Sequence, residues 1–106
     1  MNAFFIHGDG TATVFACYRG RPWAFLTDAA DLPQITRRPW HILYNGYVRS
    51  VAASAVSRPL YLHRLLLDAQ PGQEVHHINH NGLDNRRANL RIARSARAST
   101  SRRLST

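Results

Sequence analysis

The chain contains no lysine. All fourteen basic residues are arginine, set against six acids, for a formal net charge of +8. Acids are also missing from one end: none follows Asp84, while Arg86, Arg87, Arg91, Arg94, Arg97, Arg102 and Arg103 all fall in the last fifth of the chain. An arginine-favouring codon usage accounts for the choice over lysine but not for that placement. The guanidinium fork bonds phosphate through two parallel N–H groups, so a polyanion partner is the expectation. With nothing acidic after Asp84 to neutralise them locally, the C-terminal arginines read as an electrostatic footprint for nucleic acid. An anionic membrane surface is the competing partner, but the tail lacks the apolar face that membrane docking needs.

Other absences narrow the class further. The single cysteine, Cys17, excludes an intramolecular disulfide and fits a reducing compartment. The longest apolar run near the start is Ala3–Ile6, with no basic residues before it, so no secretory leader is predicted. No stretch approaches bilayer-spanning length. The expectation is a cytoplasmic protein with no membrane partner. A length of 106 residues suits one compact domain. Within it a β-rich segment, 1–57, precedes a segment, 58–106, that carries the helix and the polar motifs. There is no internal repeat and no long linker.

Residues 11–18 (TATVFACY) and 23–27 (WAFLT) are short and rich in β-branched and aromatic types, and they read as strands joined through RGRP. Asp31 is placed to cap a short helical turn opened by Leu32 and Pro33, and Pro39 marks its end. In WHILYNGYVRSV, Asn45-Gly46 predicts a hairpin with a two-residue type I′ turn. The first half is thus a small antiparallel sheet, with Phe15, Trp23, Phe25, Trp40, Tyr44 and Tyr47 mostly filling its core. An aromatic platform for nucleobases is the alternative. Ser57-Arg58-Pro59 opens a predicted helix over LYLHRLLLDA, which Pro71-Gly72 breaks. LRIA at 90–93 is a strand candidate, and the tail can start as a helix from Ser95 before fraying.

Between these lies Glu74 to Arg91, EVHHINHNGLDNRRANLR, with three histidines in five positions. His76 and His80 are four apart, but His77 stands where a metalloprotease helix needs its glutamate base. The run is also too short, between Pro71-Gly72 and Asn81-Gly82, for a helix to hold both ligands. A structural zinc site needs four regularly spaced ligands, usually with thiolates, which one distant cysteine does not supply. No G-x-S-x-G elbow is present, and Cys17 falls in a predicted core strand. What remains is a strand, 74–78, delivering His76 and His77 to a polar loop. One imidazole there could bind a divalent metal while the other, neutral at pH 7, takes a proton from water, a pairing suited to phosphodiester hydrolysis. Asp84, Asn85 and Asn89 can bond backbone groups across the long turn that follows.

LHRLLL…EVHHINHNGLDNRRANLRIA resembles the HNH endonucleases, in the phage and bacterial branch that includes homing endonucleases. The matching core spans about residues 60 to 98. It rests on the combination of H-R, H-x-N and D-N-R-R-x-N-L, and W…NGYV…YLHR resembles the β-rich segment that commonly precedes it. The resemblance implies an α+β fold, a small N-terminal antiparallel sheet followed by a helix and a ββα-metal unit: strands at 74–78 and near 90–93, and a helix from about 95. It implies His77 as the general base, His76 as a metal ligand, Asn89 as a loop brace and His63-Arg64 as supportive. It also implies one divalent metal ion among Mg²⁺, Mn²⁺, Zn²⁺ and Ni²⁺. His76 stands where this branch usually has Asp, which favours a transition metal. The pattern departs downstream. Ala98 occupies the place of the helix's second ligand, with Arg97 and Ser99 beside it, and no His or Asn follows Asn89. His80 reads as an exposed loop histidine able to swing in as a substitute, and His7 and His41 as ordinary strand or loop residues.

Two functions remain. One is a metal-dependent DNA endonuclease in which Arg86, Arg87, Arg91, Arg94 and Arg97 grip phosphates, a homodimer being one way to cut both strands. The other is a catalytically degenerate HNH-type protein that binds DNA or a protein partner without cleavage.

Overall fold

In the computed structural model, residues 2–50 and 59–94 are described. They form an α+β fold dominated by short strands. β2 (Thr11–Tyr18) and β3 (Arg21–Asp28) pair antiparallel along their full lengths, with Val14 opposite Phe25 and Ala12 opposite Thr27. Alternation along a strand sends neighbours to opposite faces. Ala12, Val14, Ala16, Phe25 and Thr27 are accordingly buried, while Phe15 and Cys17 are exposed. The two strands meet at Arg19 (φ 51°) and Gly20 (φ 75°). Positive φ at both central residues is the signature of a type I′ turn, whose twist matches that of the flanking strands.

β1 (Phe4–Ile6) adds antiparallel to β2 at one edge of this sheet. At the other edge β8 (Asp84–Asn85) runs parallel to β3. A 3₁₀ turn, Ala29–Asp31, leads into α1 (Leu32–Ile35). A second sheet comprises β4 (His41–Ile42), β5 (Val48–Ser50) and β6 (Leu60–Tyr61), all antiparallel. α2 (Leu62–Leu66) follows directly. β7 (Gln73–His77) and β9 (Leu90–Arg94) form an antiparallel pair with Val75 opposite Ile92. One apolar cluster joins these pieces: Val14 and Phe25, Ile35 and Trp40, Ile42 and Val48, Leu62 and Leu66, and Leu90. Trp40 is anchored in it by an Nε1–H bond to Ile35 O at 2.7 Å. The segments before and after residue 57 therefore share both a core and a sheet. No helix among the described residues is long and apolar enough to cross a membrane.

Five expectations change. Of the six aromatics assigned to the core, only Phe25 and Trp40 are buried; Phe15, Trp23, Tyr44 and Tyr47 are exposed. Phe15 is turned out by strand alternation, and Tyr44 lies in a hairpin loop. That loop is not a two-residue turn on Asn45-Gly46. Leu43 N–H bonds Tyr47 O at 2.9 Å and Gly46 N–H bonds Leu43 O at 2.9 Å, so three residues make the connection, with Gly46 left-handed at φ 82°. The predicted helix over 60–69 is shortened at both ends. Leu60 and Tyr61 pair with β5 instead, and Asp68, at φ 49°, lies beyond the helix end. Asp31 precedes α1, yet its carboxylate makes no cap and is bonded by Arg87. Cys17 lies on the outer face of β2 rather than in the core.

Candidate functional site

The connection from β7 to β9 is held by amide and carboxylate side chains. Asn89 is buried at its centre. Its Oδ1 accepts from Asn79 N–H at 3.0 Å, and its Nδ2 donates to Asn79 Oδ1 and to Asp84 O, both at 2.9 Å. Asn79 Nδ2 in turn donates to Asp84 Oδ2 at 2.9 Å. Asn79 Oδ1 also accepts from Asn81 N–H, and Asn81 Oδ1 from Leu83 N–H, which curls the backbone through two side-chain-closed turns. Ile78 N–H bonds Asn89 O at 2.8 Å, and His80, at φ 62°, donates its N–H to His77 O at 2.9 Å. Asp84 is buried, and Arg86's hydrogen bonds hold its carboxyl below the usual aspartate value.

His77 closes β7 and is buried. Its Nε2 lies 3.0 Å from Asn85 Oδ1, and Asn85 Nδ2 donates to Gly82 O at 3.1 Å. A backbone carbonyl only accepts, so the amide NH₂ must face Gly82 and the amide oxygen must face His77. The ring proton of neutral His77 therefore sits on Nε2, and Nδ1 keeps its lone pair. Asn85 itself is fully buried and fixed in register opposite Thr27 through β8.

Two rings bracket His77. Tyr47 stacks on it with centroids 5.8 Å apart and planes at 22°, and His63 meets it edge-on at 5.0 Å and 65°. His63, from α2, is buried with no hydrogen-bond partner for Nδ1 among the described residues. Burial, then the neighbouring His77 and Arg64 charges, push its pKa down to about 4, so His63 is neutral at pH 7. Arg64 donates from Nη1 to Gln73 O at 2.6 Å and from Nη2 to Gln70 O at 3.1 Å. It thereby ties α2 to the turn that feeds β7.

His76 points the other way along the strand. It is exposed, with Nε2 3.4 Å from Glu74 Oε2. It nonetheless reaches the rim of a cleft of about 310 Å³ that His77, His80, Tyr47 and Val75 also line. A neighbouring cleft of about 390 Å³ shares Tyr47, Val75 and His76 and extends to Tyr61, His63 and Arg64. All three histidines of HHINH thus border one opening. Among the described residues, however, no group of three or more His, Cys, Asp or Glu is arranged to hold a metal ion. The predicted helix from 95, with Arg97 and Ala98, lies outside the described residues. So does the side chain of Arg94.

The arginines divide. Arg86 grips Asp84 through Nε and Nη2 at 2.8 and 2.7 Å. Arg87 grips Asp31 through Nε at 3.0 Å and Nη2 at 2.8 Å, and its backbone N–H bonds Asp28 Oδ2 at 2.9 Å. The expectation that nothing neutralises the C-terminal arginines locally fails for this pair, because folding brings two aspartates to them, Asp31 from more than fifty residues upstream. Arg91, opposite His76, is exposed and has no carboxylate partner among the described residues. The sequence reading also missed Tyr47, Asn79 and Asp31 as parts of the site. Asn79 was legible as the third residue of H-I-N. By sequence Tyr47 reads as core and Asp31 as a helix cap, and no local pattern marks either for the site.

Compared with protein-family models, with curated proteins and with solved structures, the chain matches none.

Proposed function

We propose that the chain is a metal-dependent DNA endonuclease of HNH type, hydrolysing phosphodiester bonds with His77 as the general base. The observation that supports this is the Gly82–Asn85–His77 relay, which holds the ring proton on Nε2 and leaves Nδ1 unprotonated on a ring that lines a cleft. A water in that cleft loses its proton to Nδ1 as its oxygen attacks phosphorus. The bond from phosphorus to the leaving oxygen then breaks, and solvent protonates that oxygen. Tyr47 and His63 fix the plane of the ring, so the base is positioned before substrate arrives. The divalent ion of such chemistry supplies positive charge at the phosphate, and His76 is the ligand this chain offers it. Asp84, Asn79 and Asn89 hold the loop, while Arg91 and the arginines beyond it contact the backbone of DNA. Cutting both strands calls for two copies of the site.

A second reading is a degenerate HNH-type protein that binds DNA or a protein partner without cleaving. Ala98, standing where the resembled family carries its second ligand, favours it. Plasmid DNA incubated with the purified protein in Mg²⁺, Mn²⁺, Zn²⁺ and Ni²⁺ separates the two. The endonuclease nicks or linearises the plasmid in at least one metal, and His77→Ala abolishes this. Salt-sensitive binding without cleavage in any metal selects the second reading.

A further inference from the structure

Two of the exposed aromatics, Trp23 and Tyr44, meet at one cleft. Trp23, 48% exposed at the start of β3, and Tyr44, 82% exposed in the β4–β5 loop, line one cleft of about 120 Å³ with Tyr18. Its apolar lining includes Ile42, Leu43 and Leu83. Tyr18 and Trp23 meet edge-to-face at 6.0 Å and 87°, so one ring braces the other. The guanidinium of Arg19 lies 5.6 Å from the centre of the Tyr18 ring. Arg19 and Arg21 are both exposed, and neither has a carboxylate partner among the described residues. Flat apolar walls flanked by unpaired cations match a ligand that is a planar ring attached to an anion.

This cleft adjoins the His77 site. The loop that supplies Tyr44 supplies Tyr47 to His77 three residues later. The loop that supplies Leu83 supplies Asn85 two residues later. The two loops touch where Gly82 meets Gly46: a Cβ on Gly82 would sit 2.5 Å from Gly46 O and 2.8 Å from the Tyr47 ring. A chain of nucleotides crossing that contact would have a base on one side and a phosphate on the other.

We propose that the cleft between Trp23 and Tyr44 is a stacking site for an unpaired nucleobase of a single-stranded nucleic acid, with Arg19 and Arg21 on its phosphates. The proposal rests on the nucleic-acid reading above but not on cleavage. Every base has a π-face, so the site selects single strands without selecting sequence.

The test uses an oligothymidylate and an abasic strand of equal length and charge, in the presence of a chelator. Trp23 is half exposed and Trp40 is buried, so quenching of tryptophan fluorescence reports on the cleft. The expected result is strong quenching by oligothymidylate and affinity about tenfold above that of the abasic strand. Tyr44→Ala, whose side chain is almost wholly in solvent, should leave the melting temperature unchanged and bring both strands to the lower affinity. Equal affinities, or no effect of Tyr44→Ala, overturn the proposal. So does quenching by a proline-rich peptide in place of the oligonucleotide, since that marks a peptide groove. Discrimination between the strands without plasmid cleavage in any metal would sink the endonuclease reading and keep this one; cleavage without discrimination would do the reverse.

Discussion

Two hairpins in this molecule are held in opposite ways. β2 and β3 turn on two residues, Arg19 and Gly20, and their backbones pair from Thr11 to Asp28 without a break. β7 and β9 pair over five residues each, and the long connection between them is shaped by Asn79, Asn81, Asp84 and Asn89. In the first hairpin the main chain carries the structure, and side chains choose only which face is buried. In the second, side chains stand in for the main-chain ladder. Substitution tolerance should therefore differ sharply between them, and the proposed site lies in the less tolerant one.

The sharpest way to break this contrast is Asn89→Ala. It removes three hydrogen bonds from a buried position and leaves Asn79 N–H and Asp84 O without their partner. The expected cost is about 3 kcal/mol in urea unfolding. A loss below about 1 kcal/mol would mean that the backbone holds this loop after all. Next comes pH. The folded state keeps His63 neutral down to about 4 against an ordinary 6.5, so the unfolded chain binds its proton first as pH falls. Stability from this group is complete above pH 6.5 and declines toward pH 4, by an amount on the order of 3 kcal/mol. Melting temperature measured across that window should fall, and His63→Leu should flatten the curve. Below that window Asp84 adds a second loss, since its lowered carboxyl stabilises only above its folded pKa.

A smaller effect is expected from Arg87→Ala, which strands the buried Asp31 carboxylate. With the guanidinium half exposed, the cost should be about 1 kcal/mol, and it should shrink in high salt. The least effect belongs to the backbone-held hairpin: Cys17→Ser, on its outer face, should change unfolding free energy by less than about 0.5 kcal/mol. A larger change would show that something covers that face.

The two kinds of hairpin also differ in how far the sequence revealed them. Strand alternation and turn residues placed β2, β7 and β9 within a residue or so of their ends. They also flagged Asp84, Asn85 and Asn89 as able to bond backbone across the loop, and Asp84 and Asn89 hold that loop while Asn85 aligns His77. What stayed hidden was set by partners far along the chain. Leu60 and Tyr61 read as helix because their leucine-rich surroundings favour it, and pairing with β5 overrode that preference. Asp31 read as a cap because its local position suits one, and Arg87 claimed its carboxylate instead. Tyr47 read as core because it is aromatic, although its ring lies against two imidazoles.

The parallel pairing of β8 with β3 sets the order of assembly. Leu26 N–H bonds Leu83 O at 2.7 Å, and Thr27 lies opposite Asn85, 58 positions later. Closing so long a loop is slow compared with forming the β2–β3 turn, which needs only local contacts. The hairpin should therefore be in place first and serve as the template onto which Asp84 and Asn85 dock. His77 gains its hydrogen bond to Asn85 only after that step, so on the proposed function the base should become competent late, when the chain has closed on itself.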